Sequence, residues 1–186
     1  VEFLSDLRPE TSWNGNLNFV NKKYFDSGTY LGIDASAFYT HFSNKIIADY
    51  EQDPNKIVYD NLNGYAVSRG VSVNTDLTLH NGIKLTAGCT FMDVFSVDNQ
   101  VRNTLLFTEK INGTWSVGYT IASIGVSIDY TGNVYSPMRL PLLSENDPRR
   151  PESPWWSIQN IKIAKTLKNG IEVYGGVKNL LNWTPN

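Results

Sequence analysis

The side chains able to do chemistry are few and scattered. The chain holds two histidines, His41 and His80, and one cysteine, Cys89. Neither histidine stands in a Cys/His/Asp group at metal-ligand spacing, so no metal site is expected. His80 directly precedes Asn81-Gly82 and reads as a turn residue. His41 lies near a strand end, where a solvated role is expected. Cys89 falls between Ala87 and Phe91 and reads as a small hydrophobe. A lone cysteine also excludes an internal disulfide framework. Asp34, Asp76, Asp129 and Glu172 lie on the polar faces of different strands, where paired or hydrated charges are expected rather than an acid–base couple. No catalytic, cofactor-binding or metal-binding residue is assigned, and the chain is not expected to be an enzyme. Asn112-Gly113-Thr114 and Asn182-Trp183-Thr184 match the glycosylation triplet, which occurs often by chance. Recognition chemistry is expected in the longest connection, 134–154. It holds Tyr135, Met138, Arg139 and the basic Pro148-Arg149-Arg150-Pro151, and it leads into Trp155-Trp156. The basic patch is expected to be a solvated part of the loop, with contact to an anionic ligand or lipopolysaccharide as the other reading, and individual ligand contacts are not assigned.

The composition narrows the classes. The chain has 186 residues, 41% hydrophobic and 18% charged, with a net charge of −2. That balance lacks the dense basic field that nucleic acid requires, so no nucleic-acid partner is expected. No apolar run approaches the ~18 residues of a membrane helix. A membrane β-barrel stays open, because lumen-facing positions dilute the average. The opening Val-Glu-Phe-Leu-Ser-Asp has no signal-peptide pattern. The expectation is either an intracellular chain or one whose beginning has been cut away.

The elements that must position these residues are strands. Apolar and polar residues alternate almost throughout, and period two means strands. Ile83, Leu85, Ala87, Cys89 and Phe91 share one face; Lys84, Thr86, Gly88 and Thr90 share the other. The same alternation marks segments around 13–19, 31–37, 65–79, 111–120, 124–133 and 171–181. The segment 155–167 is less regular, and a bulge is expected in it. Asp26-Ser27-Gly28, His80-Asn81-Gly82, Ala122-Ser123 and Lys168-Asn169-Gly170 read as short turns. Asn-Gly favours the two-residue type I′ form. Asn14-Gly15, Asn63-Gly64 and Asn112-Gly113 read as strand starts or interiors instead. Longer polar connections are expected at about 48–62, 96–108 and 134–154.

The expected layout is four hairpins, about eight strands, with short and long connections in strict alternation. A soluble sandwich has no reason to keep every short turn at one end; an outer-membrane barrel does. The strands run to roughly 10–13 residues, against the ~9–11 needed to cross hydrocarbon at a tilt. Aromatics such as Trp13, Tyr39, Trp115 and Tyr130 fall near strand ends, as in the girdles of barrels. Arg69 falls in register with the apolar face, near the outer end of its strand, where snorkelling to headgroups is expected.

Four motifs carry a resemblance. They are Leu7-Arg8-Pro9-Glu10-Thr11-Ser12-Trp13; Ala37-Phe38-Tyr39 followed by Asn44-Lys45-Ile46-Ile47; Tyr59-Asp60-Asn61-Leu62-Asn63-Gly64 with Ser68-Arg69-Gly70; and Gly175-Gly176-Val177-Lys178-Asn179-Leu180-Leu181-Asn182. In this order the chain resembles, from end to end, the C-terminal portion of a TonB-dependent outer-membrane receptor. It departs where the family often has Glu, at Ser72. The resemblance implies an all-β, antiparallel up-and-down transmembrane barrel fragment, residues 1–186, supplying about eight of 22 strands, with the plug domain and final strand absent. It implies an outer membrane of a Gram-negative bacterium and TonB-driven uptake of a scarce nutrient: an iron chelate, haem, a vitamin or a glycan. Its implied partners are outer-membrane lipid, substrate at the outer loops, TonB through the missing N-terminal region, and a surface lipoprotein. No cofactor is implied. Other readings are a small complete barrel acting as an adhesin or anchor, a barrel enzyme, and a soluble carbohydrate-binding sandwich.

Overall fold

The computed structural model describes residues 2–3, 7–50, 55–142 and 148–184. Parts of two expected outer connections, 51–54 and 143–147, lie outside the described residues. Eight long strands form one antiparallel meander: β2 (Thr11–Tyr24), β3 (Tyr30–Ser43), β6 (Gly64–Thr78), β7 (Ile83–Asp98), β9 (Ile111–Ile121), β10 (Val126–Tyr135), β11 (Trp156–Thr166) and β12 (Glu172–Val177). Each pairs with its neighbours in sequence order, and β2 and β12 form the two open edges. The sheet does not close on itself among the described residues. Four shorter strands complete the set: β1 (Glu2–Phe3), β4 (Ile46–Asp49), β5 (Val58–Asn61) and β8 (Val101–Thr104).

The register keeps each alternating set on one face. Ser36 and Ser72 hydroxyls meet at 2.7 Å, Thr86 donates to Asp76 at 2.9 Å, and Asn14 donates to Thr40 at 2.7 Å, all on the polar face. The apolar face is bare. Leu17, Phe19, Val71, Val73, Phe91, Ile163 and Val173 are all exposed, Leu17 at 73%. Among the described residues no large side chain is fully buried, and no second layer covers this face. A sandwich would need such a layer, so the packed-interior reading is overturned. Each such side chain gains about 1.5–3 kcal/mol only when removed from water; this face demands an apolar surrounding from outside the chain.

Three of the short turns share one geometry, and it is not type I′. At 25–29, 79–83 and 167–171 the glycine N–H bonds back to the residue three before it: Gly28 to Phe25 at 2.9 Å, Gly82 to Leu79 at 3.1 Å, Gly170 to Leu167 at 2.9 Å. Only the glycines take positive φ, +79°, +90° and +81°. These are three-residue loops, a type I turn followed by a left-handed glycine. The asparagine instead caps the following N–H, Asn81 to Ile83 at 3.3 Å and Asn169 to Ile171 at 3.2 Å. The fourth turn is Ala122–Gly125, with φ +61° at Gly125. Ile124 therefore belongs to the turn and not to the next strand.

The other end is more built than expected. The connection expected at 96–108 is largely a hairpin: β7 runs on to Asp98, and β8 returns against it. Its turn residues, Asn99 (φ 47°) and Gln100 (φ 68°), both have positive φ, the type I′ requirement. In the 48–62 connection, β4 and β5 pair with each other and β5 pairs in parallel with β1. Motif residues lock this small sheet to the large one. Glu10 accepts from the Ile46 N–H at 2.8 Å; Asn61 accepts from the Arg8 N–H at 2.7 Å and donates to the Asn44 carbonyl at 2.7 Å.

The bulge expected within 155–167 is absent: β10 and β11 pair without interruption from Val126–Lys165 to Tyr135–Trp156. The irregularity comes from Ser157 and Gln159, which occupy apolar-face positions. They satisfy each other, and Tyr130 donates to Gln159 at 2.7 Å.

Candidate functional site

The three long connections meet at one end of the sheet, and Arg139 joins the second of them to the third. Its carbonyl accepts from the Phe107 N–H at 2.9 Å, and its guanidinium donates to the Thr104 carbonyl at 3.3 Å. Backbone bridges pair it with Leu106 and with Glu152. The 136–155 connection is further pinned from below. Ser136, 4% exposed, accepts with its hydroxyl from the N–H groups of Lys110 and Ile111, each at 3.0 Å. Ser153 accepts from the Met138 N–H at 3.0 Å and returns its own N–H to the Met138 carbonyl at 2.9 Å. These bonds anchor both ends of the connection, at Ser136–Met138 and at Ser153.

Two concavities flank Arg139. One, of about 940 Å³, is lined by Lys110, Arg139, Arg150, Glu152 and Trp155 among others. The other, of about 410 Å³, takes in Lys45, Tyr50, Asp98, Phe107 and again Arg139. Four cationic side chains against two carboxylates make an excess of positive charge, fit for an anionic ligand with apolar or aromatic surface. Tyr50 and Phe107 meet edge to face at 6.0 Å, and Asp98 keeps one buried oxygen without a partner among the described residues. Beside the first concavity, Tyr135, Trp156 and Trp183 stack in series at 4.1 and 4.8 Å. Asn179, in left-handed conformation at φ 53°, holds Trp183 there through hydrogen bonds of 3.0 and 2.8 Å.

The residues singled out in the sequence disperse. His80 is exposed in its turn. His41 is half-buried near the outer end of its strand, stacked between Trp13 (6.0 Å) and Tyr65 (5.3 Å), with Nδ1 buried and without a partner among the described residues. It belongs to an aromatic row because its register partners are Trp13 and Val67 on the apolar face. Cys89 is exposed on the same face. Asp34, Asp76, Asp129 and Glu172 stay on separate strands, Glu172 facing Lys162 at 3.7 Å. No group of three metal-ligating side chains forms among the described residues. Arg149 donates to the Pro141 carbonyl at 3.1 Å, while Arg150 lines the larger concavity.

Sequence reading missed one cluster. Arg69 faces Asp93 across the β6–β7 register, and Arg102 of β8 joins them. A signal existed: Arg69 and Asp93 both interrupt the apolar alternation, and counting outward from the turn at 79–83 places them opposite each other.

A family model described as "TonB dependent receptor-like, beta-barrel" matches residues 3–180. No curated protein sequence matches the chain. Among solved structures, the siderophore receptor PirA from Acinetobacter baumannii aligns with TM-score 0.70 at 19% identity, over 95% of this chain and 28% of that one. The ferric yersiniabactin uptake receptor FyuA from Yersinia pestis aligns with TM-score 0.67 at 14% identity, over 94% and 25%. The copper transporter OprC aligns with TM-score 0.69 at 16% identity, over 94% and 25%. The chain thus spans about a quarter of the length of the structures it matches.

Proposed function

Because the chain belongs to the TonB-dependent receptor-like β-barrel family, we propose that the whole protein is an outer-membrane receptor taking up a scarce solute in a Gram-negative bacterium. In this reading the chain is the C-terminal part of a 22-stranded wall. The bare apolar face meets fatty-acyl chains, the polar face meets the lumen and its plug, and the long connections face the outside. TonB-derived energy acts through a plug, which these residues do not include.

The single observation that carries the reading is the pairing of two features on one sheet. One face is apolar and uncovered along strands of up to 16 residues. The connections at one end alone are long and interlocked, and the two concavities between them are lined by more cations than carboxylates. A wall alone would need the first feature; recognition needs the second. Both open edges, β2 and β12, leave ladder groups that lipid cannot satisfy, so further strands pair there. This speaks against the small complete eight-stranded barrel.

The cationic linings favour an anionic solute, such as a metal chelate bearing carboxylate, phenolate or hydroxamate oxygens. Lys110, Arg139 and Arg150 would meet its charge, and Trp155 its apolar surface. The test is uptake of radiolabelled ferric chelates by cells carrying or lacking the full-length gene, with and without a protonophore. Loss of uptake on deletion and on de-energisation is expected. Uptake unchanged by both, for every chelate tried and for haem and cobalamin, would overturn the reading.

A further inference from the structure

We propose that Arg69 and Arg102 form a clamp for the phosphate of a glycolipid in the outer leaflet, with Asp93 as the residue that positions both guanidinium groups. The inference rests on the reading of the apolar face as lipid-facing.

The cluster stands where charge is not expected. Arg69, Asp93 and Arg102 all occupy apolar-face positions, Arg69 opposite Tyr39 and Asp93, Arg102 opposite Val97. One step toward the short turns begins the bare apolar run of Val71 and Val73. Arg69 therefore sits at the margin of the hydrocarbon band, level with the aromatic row of Trp13, Tyr39 and His41, where headgroups begin. β8, which carries Arg102, exists only at this rim.

The geometry is built. Arg69 donates from Nε and Nη2 to one Asp93 oxygen at 3.0 and 2.8 Å. Arg102 donates from Nη2 to both oxygens at 2.7 and 3.0 Å. Both guanidinium groups lie over the buried Phe95 ring, at 3.9 Å for Arg102 and 5.7 Å for Arg69. Stacking and ion pairing hold two long side chains in place before any ligand arrives.

The charge is not balanced. Among the described residues Asp93 is the only carboxylate either arginine meets, so two cations share one anion. Both arginine side chains remain about half exposed, 52% and 54%, against 24% for Asp93. Each keeps N–H donors that Asp93 does not occupy. Beside hydrocarbon, surplus charge calls for an anion at the same level. A phosphate matches the planar forks better than any neutral headgroup. The cluster lies on β6, β7 and β8, in the middle of the sheet, so strands pairing at β2 or β12 would not cover it.

The test uses the full-length protein, purified from the outer membrane in detergent and read by native mass spectrometry with bis-phosphorylated lipid A as the probe. The wild type is expected to retain it. The double variant Arg69→Gln/Arg102→Gln is expected to retain about tenfold less, as is the wild type offered dephosphorylated lipid A. Excess inorganic phosphate is expected not to displace the lipid. Folding is checked by heat-modifiable mobility on gels. Should the double variant misfold, Arg102→Lys keeps the charge but loses the fork, and about threefold lower retention is expected. Equal retention by the folded double variant or by Arg102→Lys, equal binding of the dephosphorylated lipid, or displacement by free phosphate would each overturn the clamp. None of these outcomes touches the membrane reading, which fails separately if the full-length protein fractionates away from the outer membrane.

Discussion

The two ends of the sheet are made by different physics. At one end, four reversals each need only a few residues, and every one contains a glycine in left-handed conformation. Three of them even repeat the same hydrogen-bonded loop. At the other end nothing repeats among the described residues. Arg139 ties two connections together, Ser136 pins the same pair from beneath, and Asn61 fastens a small second sheet to the large one. The first end is assembled from neighbours in sequence. The second depends on partners far apart, such as Lys110 with Ser136 or Arg8 with Asn61. Reversals are cheap and interchangeable; recognition requires specific shape, and specific shape requires long-range pins.

The strongest way to break this comparison lies between the ends, in the wall that both share. Val73→Arg places a charge on the bare face well below the rim. A loss of about 2–4 kcal/mol is expected in urea unfolding of the full-length protein in lipid vesicles. Ser72→Arg, one residue away on the polar face, is expected to cost much less. Equal costs would mean that the two faces do not meet different surroundings. At the long-connection end, Ser136→Ala leaves the N–H groups of Lys110 and Ile111 without their buried acceptor, at about 1–3 kcal/mol. Faster limited proteolysis within 136–155 is the expected readout, with barrel unfolding in urea little changed. If the whole barrel loosens instead, the end is not a separable unit.

At the short-turn end, Gly82→Ala forces a side chain into φ +90°, where its Cβ would lie 2.9 Å from the Thr120 carbonyl oxygen. About 1 kcal/mol is expected, read as a lower urea midpoint with limited proteolysis within 136–155 unchanged. The smallest effect sharpens the comparison of faces. Cys89 is expected to stay unlabelled by a charged, water-soluble maleimide in intact cells and to label once the protein is unfolded in denaturant, because the thiolate that reacts does not form in hydrocarbon. Ready labelling by the charged reagent would place this face in water.

Much of the wall was legible in the sequence because it is periodic. Alternation at Ile83–Phe91 or Ile111–Tyr119 states both that a strand exists and which face each residue takes, since successive side chains must point oppositely. The glycines at 28, 82 and 170 announced their reversals, although the loop type was misread: Asn-Gly suggests two left-handed residues, and the chain uses one. The Asn112-Gly113 pair does lie inside a strand. The candidate site was legible only as a location. Arg139, Arg150 and Trp155 could be placed in the right connection, but that Arg139 joins two concavities depends on contacts with Thr104, Phe107 and Glu152 that no local pattern encodes. The surroundings of His41 were not legible for the same reason. Its stacking partners, Trp13 and Tyr65, lie on two other strands.

What the sequence determined by itself was therefore the one-dimensional part: period, facing, and the positions of reversals, all set by neighbours along the chain and by the conformational limits of glycine. The tertiary structure decided which side chains on different strands or connections become neighbours. Two guanidiniums acquire meaning only when register brings them to one carboxylate, because electrostatic and hydrogen-bond energies depend on distance in space and not on separation along the chain.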